Sequence, residues 1–296
     1  MASIPKGEIR TCFLRVPPWF KRRLSESERA MAFRKWLRTN QLYTVCESAG
    51  CPNRSECFDR QVATFLILGN ICTRRCRFCG VSKGVPQVLD PNEPERIGLA
   101  VNALQCRYVV ITSVTRDDLP DGGAGAFRDT VLAIQKHAPE VFVETLIPDF
   151  RGRVEGVKEI LDAGVYVLSH NIETVPRLYP NVRPEADFER SLKILASSKR
   201  FSPSRWTKSG LMLGMGETRE EVFEVLKALR EIGCDIITLG QYLPPHGNAY
   251  PVFRYVSPEE FEEYKQEAMH LGFRFVYSGP RVRSSYHAEE MIPEMK

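Results

Sequence analysis

The sequence lacks any apolar run long enough to cross a bilayer. Its 296 residues are 43% hydrophobic and 26% charged, and no stretch approaches the ~18 consecutive apolar residues that a spanning helix needs. No apolar segment follows the first methionine, which argues against a secretory signal, and the acidic residues with Pro17-Pro18 argue against a transit peptide. We therefore expect a cytoplasmic protein without a membrane partner. An organellar protein that has already been trimmed would have the same features.

Cysteine is too scarce for a disulfide scaffold. Nine cysteines make up about 3% of the chain, whereas disulfide-rich domains contain ~8–10% or more. Six of the nine fall between Cys46 and Cys79, which leaves Cys12, Cys106 and Cys234 without a predicted role. In a reducing compartment, clustered thiols bind metal more often than they pair. The clustering therefore indicates a metal or iron–sulfur site.

Net charge is also low, at +4. A charge this small gives no reason to expect a nucleic-acid partner. The charge is unevenly distributed, because residues 1–38 hold ten Lys and Arg against three Glu. Such a basic segment could steer an acidic protein partner into contact. A solvated basic helix is the alternative interpretation.

From residue 64 onward, short apolar runs alternate with amphipathic stretches of helical length. The runs that read as buried strands are 64–68, 108–112, 141–147, 165–169, 210–213 and 235–239. The helix candidates between them are 93–105, 124–137, 154–163, 185–198 and 220–232. This alternation predicts an α/β protein with a parallel sheet covered by helices. A partial (β/α)6 TIM-type barrel is the first choice and a doubly wound sheet the second, with a seventh unit ending at 273–278.

The first cysteine group comes directly after the first predicted strand. Cys72, Cys76 and Cys79 have C-x3-C-x2-C spacing, and three thiolates on one short loop can hold three corners of a cubane iron–sulfur cluster. No fourth cysteine lies at a natural distance, so one iron is left open to another ligand. Structural zinc would need four ligands, usually with paired C-x2-4-C spacing. The group therefore favours a [4Fe-4S] cluster.

The second cysteine group precedes the first. Cys46, Cys51 and Cys57 have C-x4-C-x5-C spacing, and again three ligands leave room for a fourth. Only residues 58–71 separate the two groups, so a second site must lie near the first. A zinc site completed by a histidine is one alternative, and a disulfide with a free thiol is another.

The segment from Cys72 to Cys79, with the sequence CTRRCRFC, resembles the cluster loop of radical S-adenosylmethionine (SAM) enzymes, including the aromatic Phe78 before the last cysteine. The resemblance implies that SAM chelates the open iron and is cleaved to a radical after electron transfer. It also agrees with the position of the loop after the first strand of an incomplete barrel.

The second triad ahead of this loop resembles the lipoyl synthase family more narrowly, and the likeness extends from Pro17-Pro18-Trp19 to Arg283-Ser284-Ser285-Tyr286. The other matching stretches are 44–47, 51–53, 114–123, 147–150, 170–174, 208–218 and 240–243. The resemblance implies a sulfurtransferase that inserts two sulfur atoms at C6 and C8 of a protein-bound octanoyl-lysyl group. Its implied cofactors are SAM and two [4Fe-4S] clusters, of which the auxiliary cluster donates the sulfur.

The terminal serine motif supplies the implied fourth ligand of the auxiliary cluster. Ser285 is assigned to this role, with Ser284 as the alternative. The implied ligands of the auxiliary cluster are Cys46, Cys51, Cys57 and Ser285, and those of the SAM cluster are Cys72, Cys76 and Cys79. A serine alkoxide is a harder and weaker iron ligand than a thiolate, so it could detach while the cluster is dismantled for sulfur.

Four side chains are candidates for binding SAM. Phe78 could pack on the adenine or belong to the core, and Asn171 and Glu173 could bind the ribose or the methionine amine or cap a loop. Lys208, at a predicted strand start, could bind the SAM carboxylate. No side chain is predicted as a catalyst, because an alkyl C–H bond offers no acid–base handle and the cofactor carries the chemistry.

The resemblance also implies a division of the chain and a set of partners. Residues 1–57 would form an N-terminal extension with the auxiliary-cluster cysteines, 58–277 the radical SAM core and 278–296 a C-terminal tail. The implied partners are octanoylated lipoyl-domain proteins, namely the E2 subunits of 2-oxoacid dehydrogenases and the H protein of glycine cleavage, together with a reductant such as ferredoxin or flavodoxin.

Two rival functions remain at this stage. A radical SAM sulfur inserter that resembles biotin synthase is one, although the second triad and Ser285 argue against it. A non-enzymatic electron carrier with two clusters is the other. Such carriers are small and cysteine-dense, and they bind each cluster through four thiolates. A chain long enough for a barrel is much larger than an electron carrier needs.

Overall fold

A computed structural model describes residues 15–20, 26–286 and 288–290. The strands are β1 Thr64–Ile67, β2 Ile71–Cys72, β3 Ser82–Lys83, β4 Tyr108–Ser113, β5 Phe142–Leu146, β6 Val167–Ser169, β7 Trp206–Leu213, β8 Ile236–Gln241 and β9 Phe275–Gly279. The helices are α1 Glu28–Thr39, α2 Val45–Ser48, α3 Arg54–Asp59, α4 Glu93–Ala103, α5 Ala124–His137, α6 Glu155–Asp162, α7 Tyr179–Val182, α8 Phe188–Phe201, α9 Arg219–Glu231 and α10 Pro258–His270.

Seven strands form one parallel sheet in the order β1-β4-β5-β6-β7-β8-β9, and each new strand is added beside the previous one. A doubly wound sheet would reverse its strand order at a switch point, so that alternative is wrong. The partial barrel is confirmed, and it contains one strand more than six because β9 is the predicted seventh unit. Within the described residues, no hydrogen-bonded ladder joins β9 to β1, whereas eight strands close a complete barrel.

The longer helices of the barrel each bury an apolar stripe. α9 is the clearest example, since its buried residues recur at helical spacing: Val222, Val225, Leu226 and Leu229. Its first turn is fixed by a capping box between Thr218 and Glu221. Each fully buried aliphatic side chain of this kind stabilises the fold by about 1.5–3 kcal/mol. None of the helices in the described part of the chain has the length and apolar character to span a membrane.

The C-terminal tail links the two ends of the open sheet. On the side of β1, Asn53 Nδ2 donates to the Arg281 carbonyl at 2.7 Å, and the Tyr286 hydroxyl donates to Glu56 at 3.1 Å. On the side of β8, Gly240 lets the tail pass, because a Cβ there would collide with the Val282 carbonyl. The tail therefore contacts both the segment that carries the second cysteine group and the last strands of the barrel.

Candidate active site

A cavity of about 480 Å³ lies at the carboxyl ends of the strands, where barrels of this type carry their functional sites. Five of the six clustered cysteines line it: Cys46, Cys51, Cys72, Cys76 and Cys79. The sixth, Cys57, is not part of the lining but is close enough to Cys46 and Cys51 to interact electrostatically. The fold therefore brings both cysteine groups to one cavity.

The first group begins at the end of β2 and continues along the loop to β3, and these two strands form a separate two-stranded sheet. These strands pair over only two residues each, with Cys72 opposite Lys83. Burial raises the pKa of the Cys76 thiol to about 12 and that of Cys79 to about 11, and neighbouring thiols add to both shifts. Because iron binds thiolates, metal loading must supply the positive charge that stabilises this ionised form.

The second group is built by α2, the turn after it and α3. Burial raises the pKa of Cys46 to about 11 and that of Cys57 to about 12. Cys46 is in hydrogen-bonding contact with Thr64, and the Thr64 hydroxyl also donates to Ser285 Oγ at 2.7 Å. Ser285 therefore lies beside this group. Ser284 instead donates to Asn171 Oδ1 at 2.9 Å, which favours Ser285 as the auxiliary ligand.

The eight described cysteines are all free thiols, and Cys12 lies outside the described residues. In residues 15–20, 26–286 and 288–290, no three His, Cys, Asp or Glu side chains converge on a point that could hold one metal ion. A mononuclear zinc site requires such convergence. A cubane cluster spreads its ligands over separate irons, so the free and clustered thiols suit it better.

Three of the four SAM candidates line the cavity: Phe78, Asn171 and Glu173. Asn171 Nδ2 donates to Glu173 Oε1 at 3.1 Å, and burial raises the pKa of Glu173. The Glu173 backbone is left-handed, with φ at 69°, and its N–H and C=O bond to Gly210 and Met212 of β7. A strained non-glycine residue held by its neighbours is typical of a ligand site.

The fourth candidate, Lys208, is not part of the cavity lining, and its predicted role is not supported. Its Nζ lies 3.0 Å from Glu144 Oε2, and the two side chains are 1% and 0% exposed. The Tyr108 hydroxyl donates to the same carboxylate oxygen at 2.7 Å. Glu144 belongs to β5, which is separated from β7 by β6, so the buried Lys208 side chain lies in the barrel interior. Lys208 is also the third of eight residues in β7, well before the carboxyl end of the strand.

Two buried cavity residues were missed by the sequence analysis. Arg183 Nη1 donates to the carbonyls of Asn171 at 3.0 Å and Ile172 at 2.8 Å. His170 donates from Nδ1 to the Ile147 carbonyl at 2.8 Å, and its buried Nε2 has no partner within the described residues. Burial lowers the pKa of His170 to about 4, so it is neutral and its Nε2 is an acceptor. The 170–174 stretch was the available signal for His170.

Comparisons with known proteins agree with this geometry. Residues 66–229 match the Radical SAM superfamily. The lipoyl synthase of Caldicellulosiruptor saccharolyticus is 53% identical over 274 residues, covering 93% of this chain and 96% of that protein. The lipoyl synthase of Cronobacter sakazakii is 51% identical over 294 residues, covering 98% and 92%.

Solved structures share the fold at much lower identity. Streptococcus suis SuiB bound to S-adenosylmethionine has a TM-score of 0.58 at 12% identity, over 88% of this chain and 64% of its own. Methylornithine synthase has a TM-score of 0.51 at 13% identity, over 72% and 70%. Likeness at this identity supports the barrel architecture alone.

Proposed function

The chain belongs to the lipoyl synthase family of the radical SAM superfamily, and from this premise we propose that its central cavity is the place of sulfur insertion. The reaction inserts two sulfur atoms at C6 and C8 of a protein-bound octanoyl-lysyl group to form the lipoyl cofactor. Its cofactors are SAM and two [4Fe-4S] clusters. The observation that carries the proposal is that one cavity is lined by all three cysteines of the first triad and by Cys46 and Cys51 of the second.

Each triad would hold one cluster and leave one position for a different ligand. Cys72, Cys76 and Cys79 would hold the SAM cluster, and the auxiliary triad would be completed by Ser285. The Thr64 hydroxyl, which contacts both Cys46 and Ser285, supports the second assignment because it places the serine and the triad together. When bound, SAM and the clusters supply the radical chemistry for C–H bonds and the sulfur atoms.

The side chains of the protein have the tasks of binding, orienting and excluding water. Asn171 and Glu173 would orient SAM beside the first triad, since both line the cavity and are hydrogen-bonded to each other. The apolar part of the lining suits an alkyl chain, and it includes Leu66, Val114, Ile147, Leu211, Met212 and Val282. Apolar walls keep water away from an octanoyl chain and from reactive carbon centres.

The enzyme acts on octanoylated carrier proteins and needs a reductant, as the family requires. We further propose E2 subunits of 2-oxoacid dehydrogenases and the glycine-cleavage H protein as carriers, and a ferredoxin or flavodoxin as the reductant. The division into an extension at 1–57, a core at 58–277 and a tail at 278–296 belongs to the same proposal. Contacts from the tail to Asn53 and Glu56 support it, because they return the tail to the extension.

Anaerobic turnover of an octanoylated lipoyl-domain peptide, followed by mass analysis, tests the proposed reaction. A product with two added sulfur atoms is expected, and its absence in protein that holds both clusters would refute the assignment. Failure to form 5′-deoxyadenosine from SAM and a reductant would refute every radical SAM function, including a biotin synthase-like one.

Replacing one auxiliary thiol separates the two triads. Cys51→Ala should retain SAM cleavage and lose sulfur insertion, because the SAM cluster keeps all three of its thiols. Cys106→Ala is the matched control, since Cys106 is a free thiol that does not line the cavity, and it should retain both activities. Loss of both activities in Cys51→Ala would instead assign the second triad a structural role.

A further inference from the structure

Arg74 lies inside the cluster loop, between Cys72 and Cys76, yet its side chain is only 4% exposed. Its Nε and Nη2 donate to the two carboxylate oxygens of Asp117 at 2.7 and 2.9 Å. Nη2 also donates to Asp149 Oδ1 at 2.5 Å. Asp117 follows β4 and Asp149 follows β5, so one side chain joins the cluster loop to the ends of two barrel strands.

The backbone beside Arg74 repeats this connection. Thr73 donates to the Thr115 carbonyl through both its N–H and its hydroxyl, each at 3.0 Å. The Asp117 N–H in turn donates to the Thr73 hydroxyl at 3.1 Å. The only regular structure that anchors the loop within the described residues is the two-residue pairing of β2 with β3. The Arg77 N–H also donates to the Val182 carbonyl, and its carbonyl accepts from the Tyr250 N–H, each at 2.8 Å. Thr73 and Arg74 are the residues that tie the loop to the segments after β4 and β5.

The charges at this junction are compensated. Arg190 Nη1 lies 3.2 Å from Asp149, and Arg151 Nε lies 3.3 Å from Asp117. Burial alone would raise the pKa of Asp149, but the hydrogen bond and charge of Arg74 outweigh it and lower the pKa to about 2. Asp149 therefore accepts as an anion. The two parallel hydrogen bonds from Arg74 to Asp117 set orientation as well as distance, because a bidentate guanidinium–carboxylate pair is planar.

We propose that Arg74 is a positioning residue that, through Asp117 and Asp149, fixes the cluster cysteines relative to the ends of β4 and β5. β5 pairs with β6, and the segment after β6 carries Asn171 and Glu173, the side chains proposed to orient SAM. The inference rests on the proposed function, because it assigns the cluster and SAM to this end of the cavity. The aspartate-rich loop after β4, which belongs to the matching stretch 114–123, thereby receives a specific task at Asp117. A misplacement of about 1 Å by a residue outside the chemistry can cost about a hundredfold in rate.

Asp117 and Asp118 provide a matched pair of variants. Asp118 is bound by Arg116 in the same forked way, with Nε–Oδ1 at 2.9 Å and Nη2–Oδ2 at 2.8 Å, and Arg116 is also 4% exposed. Within the described residues, this second pair makes no hydrogen bond to the cluster loop. Asp117→Asn and Asp118→Asn therefore remove the same charge from adjacent positions, and only the first loosens the loop.

The measurements are made on the holoenzyme, with iron per chain determined first. Asp117→Asn should raise the SAM dissociation constant by about tenfold or more and increase the 5′-deoxyadenosine formed per product, because the radical source is misaligned with the substrate. Asp118→Asn should change neither quantity. Equal behaviour of the two variants would overturn the proposal.

Arg74→Lys keeps the test valid if Asp117→Asn fails to fold or to load iron. Lysine retains the charge between the two carboxylates but lacks the fork, so iron content and melting temperature should stay near wild type while SAM affinity and coupling fall. Wild-type affinity and coupling in Arg74→Lys would refute the role of the fork. Absence of 5′-deoxyadenosine in the wild-type enzyme would instead refute the proposed function itself.

Discussion

Removal of the Lys208 charge should destabilise the barrel and leave SAM binding unchanged. Nζ of Lys208 and Oε2 of Glu144 are 3.0 Å apart, and neither side chain is more than 1% exposed. At an effective dielectric constant of ~20, two unit charges at this separation attract by about 5.5 kcal/mol. A carboxylate left without its cation cannot recover this energy from water, because Glu144 is fully buried.

Lys208→Met should therefore cost about 3–5 kcal/mol, which is the usual penalty for removing one partner of a buried ion pair. For a chain of this length, that corresponds to a fall in melting temperature of roughly 6–10 °C. Replacing both partners, as in Lys208→Met with Glu144→Leu, should restore much of the loss because no uncompensated charge remains. The recovery should be incomplete, because the Tyr108 hydroxyl, which donates to Glu144, loses its acceptor in the double variant.

The assay is thermal unfolding of the anaerobically prepared holoenzyme, monitored by circular dichroism. SAM affinity is measured separately by equilibrium binding. We expect a lower melting temperature in the single variant, partial recovery in the double variant and the wild-type SAM dissociation constant in both. A weakened SAM affinity with an unchanged melting temperature would refute this reasoning and return Lys208 to the SAM site.

The remaining predictions concern the tail serines and the buried histidine. Ser285→Ala should lower the iron retained by the auxiliary triad while Ser284→Ala retains it, because only Ser285 lies beside Thr64; the reverse order in iron analysis would contradict the assignment. Burial lowers the pKa of His170 to about 4, below the ~6.5 of an unfolded chain. The unfolded chain then binds more protons between these values, so the free energy of unfolding should fall by up to roughly 3 kcal/mol as pH drops from ~6.5 to ~4. Denaturant titrations should show this slope in wild type and a flatter one in His170→Asn, and a flat wild-type profile would contradict it.

The strand pattern shows where local reasoning works and where it fails. The predicted run 108–112 corresponds to β4 at Tyr108–Ser113, and 235–239 corresponds to β8 at Ile236–Gln241. These predictions succeed because continuous apolar residues are typical of strands that are buried on both faces. The run 210–213 is only the second half of β7, which begins at Trp206. Its first half is polar but buried, with Thr207 bonded to Asp235. The prediction that Lys208 binds SAM depends on the same strand boundary, since a strand start placed too late puts this residue at the edge of the strand instead of in its interior.

The sequence by itself determined the features that depend on spacing along one loop, namely how many thiolates are clustered there. Cys72, Cys76 and Cys79 lie within eight residues, so the number of thiolates and the absence of a fourth can be seen without a fold. The alternation of apolar runs and amphipathic stretches likewise determined the parallel α/β class, because buried strands and covering helices are selected by local periodicity.

Only the tertiary structure decided which distant side chains share a contact. Ser285 meets Thr64 across 221 residues, Lys208 meets Glu144 across 64, and Arg74 meets Asp149 across 75. No spacing rule encodes these pairs. The Lys208–Glu144 pair depends on the order and register of the parallel strands, Arg74 and Asp149 meet where segments that follow two strands converge, and Ser285 reaches Thr64 only because the tail returns to β1. The ligand types were therefore visible in the chain, whereas the contact between Ser285 and Thr64, the buried ion pair and the anchoring of the cluster loop depended on how the barrel packs.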